Sequence, residues 1–155
     1  EVIFHAKYPP LGNRGAALRR PHSLYRKVAA AAYLRQANEE TLIAVQVETP
    51  QAVQNLEEIT AVPGIDALFI GPFDLSVSLG IPGEVNHPRE VEAIDKVLSA
   101  CLPKKIAVGI QLFDVPSIKS WVQKGMRLIS YSSDSALLGD AAAAGIAEIR
   151  KSLQK

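Results

Sequence analysis

The chain has 155 residues, 48% of them hydrophobic and 21% charged, with a formal net charge of +1. That length is one domain or part of one, and the near-neutral balance gives no electrostatic footprint for nucleic acid. The one basic cluster, Arg19-Arg20 with Arg26-Lys27 beyond it, is short, lacks an aromatic platform and reads as a solvated loop.

No apolar run approaches the roughly 18 residues of a membrane span. The start, Glu1-Val2-Ile3-Phe4-His5, has neither the basic region nor the long apolar core of a secretion signal. It also lacks an initiator methionine and reads as a processed product or a fragment. The single cysteine, Cys101, cannot form an internal disulfide, which fits a reducing, cytoplasmic compartment.

Residues 1–40 read as a loop and helical lead-in. Lys7-Tyr8-Pro9-Pro10-Leu11-Gly12-Asn13-Arg14-Gly15 is a rigid loop, with two prolines fixing φ and two glycines available for positive φ around one arginine. Arg14 is either part of a covering or subunit-contact loop or a direct substrate ligand. His5 and His22 have no spaced partner that would make either a base.

Residues 41–155 alternate between two periods. The near-continuous apolar run Leu42 to Glu48 predicts a strand buried on both faces. Thr49 caps a helix with Pro50 at its first position and Ala52, Val53, Leu56 and Ile59 at helical spacing, stopped at Val62-Pro63-Gly64. Ala67-Leu68-Phe69-Ile70 is the second strand, ending in Gly71-Pro72, and Asp66 before it is a turn residue. His87-Pro88 opens a helix with the stripe Val91, Ile94, Val97 and Leu98, and His87 orders its start. Ile106 to Ile110 is the third strand. Asp114 caps a helix whose core face is Ile118, Trp121 and Val122, closed by Gly125. Leu128 to Tyr131 is the fourth strand, Asp134 a helix cap, and an alanine-rich helix runs from about Ser135 to Leu153. Cys101 has no nearby base and reads as packing.

Four strands alternating with four helices imply a parallel sheet with helices outside it. A doubly wound sheet would show a glycine-rich turn after its first strand, and Thr49-Pro50-Gln51 has no glycine. A (β/α)8 barrel needs eight such units and about 250 residues. The pattern therefore favours the second half of a TIM barrel with exposed edge strands. In a barrel the C-terminal strand ends carry the chemistry, so Glu48 and Asp74 become candidate metal ligands, the alternative being helix caps or surface ion pairs.

Taken in order, Tyr8-Pro9-Pro10 with Gly12 and Arg14-Gly15, Tyr33-Leu34 with Ala37-Asn38, Val45-Gln46-Val47-Glu48-Thr49, Gly64-Ile65-Asp66, Phe69 to Leu75, His87-Pro88, Gly109-Ile110 and Asp134 resemble the C-terminal portion of the HpcH/HpaI aldolase/citrate lyase family, in particular its class II pyruvate aldolases. The resemblance implies a phosphoenolpyruvate/pyruvate-type TIM barrel and reversible aldol cleavage of a 2-oxo-hydroxy acid to pyruvate and an aldehyde, through a metal-stabilised pyruvate enolate. It implies that Glu48 and Asp74 bind Mg²⁺, Mn²⁺ or Co²⁺, that Gln46, Phe73 and Asp74 contact the oxo acid, and that the oligomer is a hexamer with helix exchange. Two hard oxygen ligands leave positions for water and a chelating oxo acid.

The family's histidine base and keto-polarising arginine have no counterparts here, so no catalytic residue is assigned within the chain and its own activity is expected to be impaired. Ser130-Tyr131-Ser132-Ser133 is more polar than the family's usual run before the aspartate. Two alternatives stay open: a non-catalytic assembly piece, and a citrate-lyase or malyl-CoA-lyase-like enzyme.

Overall fold

The computed structural model describes residues 1–153; the last two residues of the expected 41–155 unit lie outside the described residues. The elements are α1 (Val2–Ala6), α2 (Ala30–Glu40), β1 (Ala44–Val47), α3 (Pro50–Gln54), α4 (Leu56–Ala61), β2 (Ala67–Ile70), α5 (Pro72–Ser78), α6 (Pro88–Cys101), β3 (Ala107–Leu112), α7 (Val115–Gln123), β4 (Leu128–Tyr131) and α8 (Asp134–Ser152). The four strands form one sheet in the order β1-β2-β3-β4. Every pairing is parallel. The sheet is thus half of the expected barrel, with β1 and β4 each paired on one side among the described residues.

The core lies between the convex side of this sheet and the helices. Val47, Leu68, Ile70, Val108, Ile110 and Leu112 alternate outward along the strands and meet Leu75, Ile94, Val97, Leu98 and Trp121. The opposite, concave side carries no second layer, so the expectation of strands buried on both faces fails at β1: Val47 is buried while Gln46 and Ala44 are exposed.

Local chemistry explains where the elements start. The Thr49 hydroxyl accepts from Ala52 N at 3.1 Å, Asp114 Oδ1 from Ser117 N at 2.8 Å and His87 Nδ1 from Arg89 N at 3.2 Å. Each satisfies an N–H that a helix start leaves free. Asp66 does more than turn the chain, because its Oδ2 accepts from Ile43 N at 2.7 Å and ties the entrance of β1 to that of β2.

Several expectations are corrected. The helix after Thr49 breaks at Asn55 (φ −97°, ψ 16°) into α3 and α4. The cap of α8 is Ser133, whose hydroxyl accepts from Ala136 N at 3.2 Å, and Asp134 is the first helical residue. Val122 is exposed, leaving Trp121 as the buried residue of α7. Gly12 and Gly15 do not adopt positive φ. Gly12 serves close approach instead, since a Cβ there would stand 2.5 Å from Lys7 O and 2.6 Å from Phe4 O.

The lead-in is anchored by an amide knot the sequence did not announce. Tyr8 N donates to Asn38 Oδ1 at 2.7 Å and Asn38 Nδ2 donates to Tyr8 O at 2.9 Å. The buried Lys7 ammonium donates to the carbonyls of Asn38 and Thr41, carbonyls that the end of α2 leaves without helical partners. Arg14 lies over the Tyr8 ring, 4.9 Å from its centroid.

Candidate active site at the C-terminal strand ends

The inward-facing residues form rows across the sheet. Gln46, Phe69, Gly109 and Leu128 are register partners in sequence. Two residues further along, the same register aligns Glu48, Gly71, Gln111 and Ser130, with Gln111 and Ser130 paired directly. Both rows contain a glycine for a steric reason. A Cβ on Gly109 would lie 2.8 Å from Phe69 Cδ2, so the phenyl ring crosses the strand there. A Cβ on Gly71 would lie 2.8 Å from Gln46 Nε2 and 3.1 Å from Glu48 Oε2. The space Gly71 leaves is therefore filled by the amide and the carboxylate that the sequence singled out.

A cleft opens beside this point, lined in part by Gln46, Phe69, Phe73, Asp74, Gln111 and Phe113. Three of the expected residues, Gln46, Phe73 and Asp74, share that cleft, and Glu48 flanks it across Gly71. Asp74 comes from the first turn of α5, a helix absent from the sequence reading; Pro72 at its first position fixes the turn. Phe73 is 63% exposed and Phe113 61%, so two aromatic rings stand at the rim. His5, His22, Arg14 and Cys101 do not line the cleft.

Gln111 and Phe113 were missed. For Gln111 the signal was available in the period of two, since it follows Gly109 on the same face of β3; Phe113 comes directly after the strand ends at Leu112.

Glu48 and Asp74 supply only carboxylate oxygens, and Gln46 adds an amide. That donor set suits a hard cation such as Mg²⁺ or Mn²⁺ and not a thiolate- or imidazole-seeking metal. Among the described residues no group of three or more His, Cys, Asp or Glu side chains gathers as a metal cluster. Any cation here would fill its remaining positions with water or substrate.

The HpcH/HpaI aldolase/citrate lyase family model matches residues 5–141. The chain belongs to that family. It is 37% identical over 137 residues to a 2-dehydro-3,6-dideoxy-6-sulfogluconate aldolase of Pseudomonas putida, covering 88% of this chain and 53% of that enzyme. It is 34% identical over 146 residues to a 4-hydroxy-2-oxo-heptane-1,7-dioate aldolase of Escherichia coli, covering 93% and 55%. The crystal structure of an HpcH/HpaI aldolase from Desulfitobacterium hafniense superposes with a TM-score of 0.85 at 33% identity, over 96% of this chain and 57% of that one.

The chain thus spans about half the length of the curated relatives it matches, and its four-stranded sheet is half of the family's TIM barrel. The relatives are aldolases, so the general chemistry of the family is that of a lyase. Among the described residues no helix is long and apolar enough to cross a membrane.

Proposed function

We propose that residues 1–155 form a partial HpcH/HpaI domain, the metal- and oxo-acid-binding half of a class II pyruvate aldolase that cleaves a 2-oxo-hydroxy acid to pyruvate and an aldehyde. The observation that carries this reading is the packing of the Gln46 amide and the Glu48 carboxylate into the space left by Gly71, with Asp74 one turn beyond. The aldolase names of the relatives support it.

Glu48 and Asp74 would hold a divalent cation, Mg²⁺, Mn²⁺ or Co²⁺, which would supply positive charge to polarise the 2-oxo group. Gln46 donates its amide hydrogens to the oxo acid, and the Phe73 backbone, held by Pro72, bounds its other side. The aromatic rims of Phe73 and Phe113 exclude water from the bound ligand. Cleavage breaks the C3–C4 bond, moves its electron pair toward the 2-oxo group and hands the C4 hydroxyl proton to a base, and the enolate left behind takes a proton at C3 to become pyruvate. That base lies outside residues 1–155, so this chain binds better than it turns over. The exposed Leu137, Leu138, Ile146 and Ile149 of α8 support a homo-oligomer, a hexamer with exchanged helices in the family's manner.

Calorimetric titration of oxalate, an enolate mimic, tests this reading. Binding is expected to require Mn²⁺ and to be lost in Glu48→Ala and in Asp74→Ala, both checked for folding by circular dichroism. Metal-dependent binding that survives both substitutions would sink the assignment.

A further inference from the structure

We infer that two copies of this chain close on each other through their strand edges, β1 of each pairing with β4 of the other, and that the second copy is what covers the open side of the sheet. The inference goes beyond the aldolase reading and stands without it.

The surface is large for a chain of this mass. It measures 10467 Å², whereas a compact monomer of 16.7 kDa exposes about 7,600 Å² on the usual scaling. The excess is about 2,800 Å², and a standard interface hides about 800 Å² on each partner. Part of it lies on α8 and the lead-in. The remainder includes the concave face, where Phe69, Ala107 and Leu128 stay half-buried with no layer above them.

The edges are suited to pairing. Ala67 N donates to Ile43 O and Gly71 N to Val47 O, so Ile43, Val45 and Val47 turn their backbone groups to β2. By the alternation of a parallel ladder, Ala44 and Gln46 turn theirs outward, where no strand meets them among the described residues. Natural edges block such groups with charge, proline or a bulge. β1 reads Ala44-Val45-Gln46-Val47 and β4 reads Leu128-Ile129-Ser130-Tyr131, with neither charge nor proline.

Geometry selects the occupant. A barrel of eight strands has an interior that side chains alone can fill, and each copy brings four strands, all parallel. A two-fold axis along the barrel joins β4 of one copy to β1 of the other twice over, in the same direction, and leaves no edge. The ring therefore closes at two copies and does not grow into a filament. Any other partner would have to present two matching parallel edges at this spacing, which a second copy carries by construction. Phe69, Ala107 and Leu128 from both copies become the filling, and a net charge of +1 per chain offers little repulsion.

Closure also bears on the site. Gln46, exposed, and Glu48, half-buried, lie on or just beyond β1, the edge strand. Joining the seam sets the end of β4 from the second copy, with Ser130, on their open side.

Light scattering on the 155-residue chain after size exclusion, across a range of concentrations, reads the assembly. The mass expected at micromolar concentration is twice the 16.7 kDa of one chain, with the Ala44 and Gln46 amides protected from hydrogen exchange as the dimer forms. Ala44→Pro removes an outward N–H and leaves the β1–β2 bonds in place. Because it falls in both seams, it is expected to weaken the dimer about tenfold or more, whereas Leu138→Lys on α8 is expected to leave the dimer unchanged. Should the proline disturb folding, exchange at the two wild-type amides decides alone.

A single-chain mass at that concentration overturns the inference and leaves the edges to the remainder of a longer chain. A dimer with both amides unprotected, or one abolished by Leu138→Lys and not by Ala44→Pro, overturns the strand seam in favour of contact through α8. Masses that climb past two chains overturn the closure.

Discussion

Glu90 gives the most demanding test of the packing described above. It is the third residue of α6, 0% exposed, and neither carboxylate oxygen has a hydrogen-bond partner. Helices α3, α4 and α5 and strands β2 and β3 pack against α6, and their ionisable residues, Glu57, Glu58 and Asp74, are acidic and exposed. The turn Leu102–Lys104 that also packs on α6 follows its C-terminal end, and its Lys104 donates to Thr60 Oγ1 at 2.7 Å instead. Burial alone therefore pushes the carboxyl up from its ordinary 4.5 to about 7.

A folded-state value above the unfolded one means that the folded protein holds the proton more tightly, so stability falls as pH rises from about 4.5 and the loss is complete above about 7. At about 1.4 kcal/mol per unit of displacement, the penalty at pH 8 is about 3 kcal/mol. Glu90→Gln keeps the shape and removes the charge. It is expected to match the parent at pH 4.5 and to exceed it at pH 8 by about 3 kcal/mol, a gain of about 10 °C in Tm for a chain of this size. Urea denaturation at pH 4.5, 6 and 8 with both proteins reads this directly. An equal pH slope in parent and variant would refute the assignment of the slope to Glu90, and with it the unpartnered burial of that carboxylate.

Three further outcomes are expected. Cys101 is fully buried and burial pushes its thiol up to about 11, so a disulfide reagent at pH 8 should react with the native chain about a hundredfold more slowly than with the chain in denaturant; equal rates would contradict the packing. Asn38→Ala strips partners from both Tyr8 backbone groups and should cost about 3 kcal/mol, read as a drop of about 10 °C in Tm, whereas a drop below about 3 °C would mean that the knot does not anchor the lead-in. Gly71→Ala should cost no more than about 2 kcal/mol, because the contacts at 2.8 Å and 3.1 Å are with the far ends of flexible side chains and only Glu48 Cβ at 3.3 Å must give way, yet weaken Mn²⁺-dependent oxalate binding tenfold or more; unchanged affinity would separate Gly71 from the site.

The sequence carried the fold because Val, Ile and Leu runs alternate with capped helical stripes, and the structure places four parallel strands where those runs fall. Position at strand ends marked Glu48 and Asp74, and the family resemblance marked Gln46 and Phe73; Gln46, Phe73 and Asp74 share one cleft. What the sequence hid depends on contacts distant along the chain. The pairing of Asn38 with Tyr8 spans 30 residues, and no periodicity reports it. The crossing of Phe69 over Gly109 depends on register, which a single strand cannot reveal. Glu90 was legible in principle, since it lies four, seven and eleven residues from Ile94, Val97 and Cys101 on one helical stripe; its charge argued against burial and outweighed its position. Asp134 failed as a cap by one residue, because Ser133 beside it offers an oxygen equally suited to the role.

The 19 residues of α8 contain none that is buried. Most helical stability in proteins comes from packing an apolar face, and an isolated helix of this length is marginal in water even when rich in alanine. The molecule is therefore expected to divide in amide hydrogen exchange. Protons of β2 and β3, locked between neighbours on both sides, exchange only through global opening, whereas those of α8 exchange through fraying that costs the rest of the fold nothing. If the proposed homo-oligomer forms through α8, protection along this helix becomes a gauge of assembly, rising with protein concentration as a second chain covers Leu137, Leu138, Ile146 and Ile149, and vanishing on dilution while the sheet remains intact.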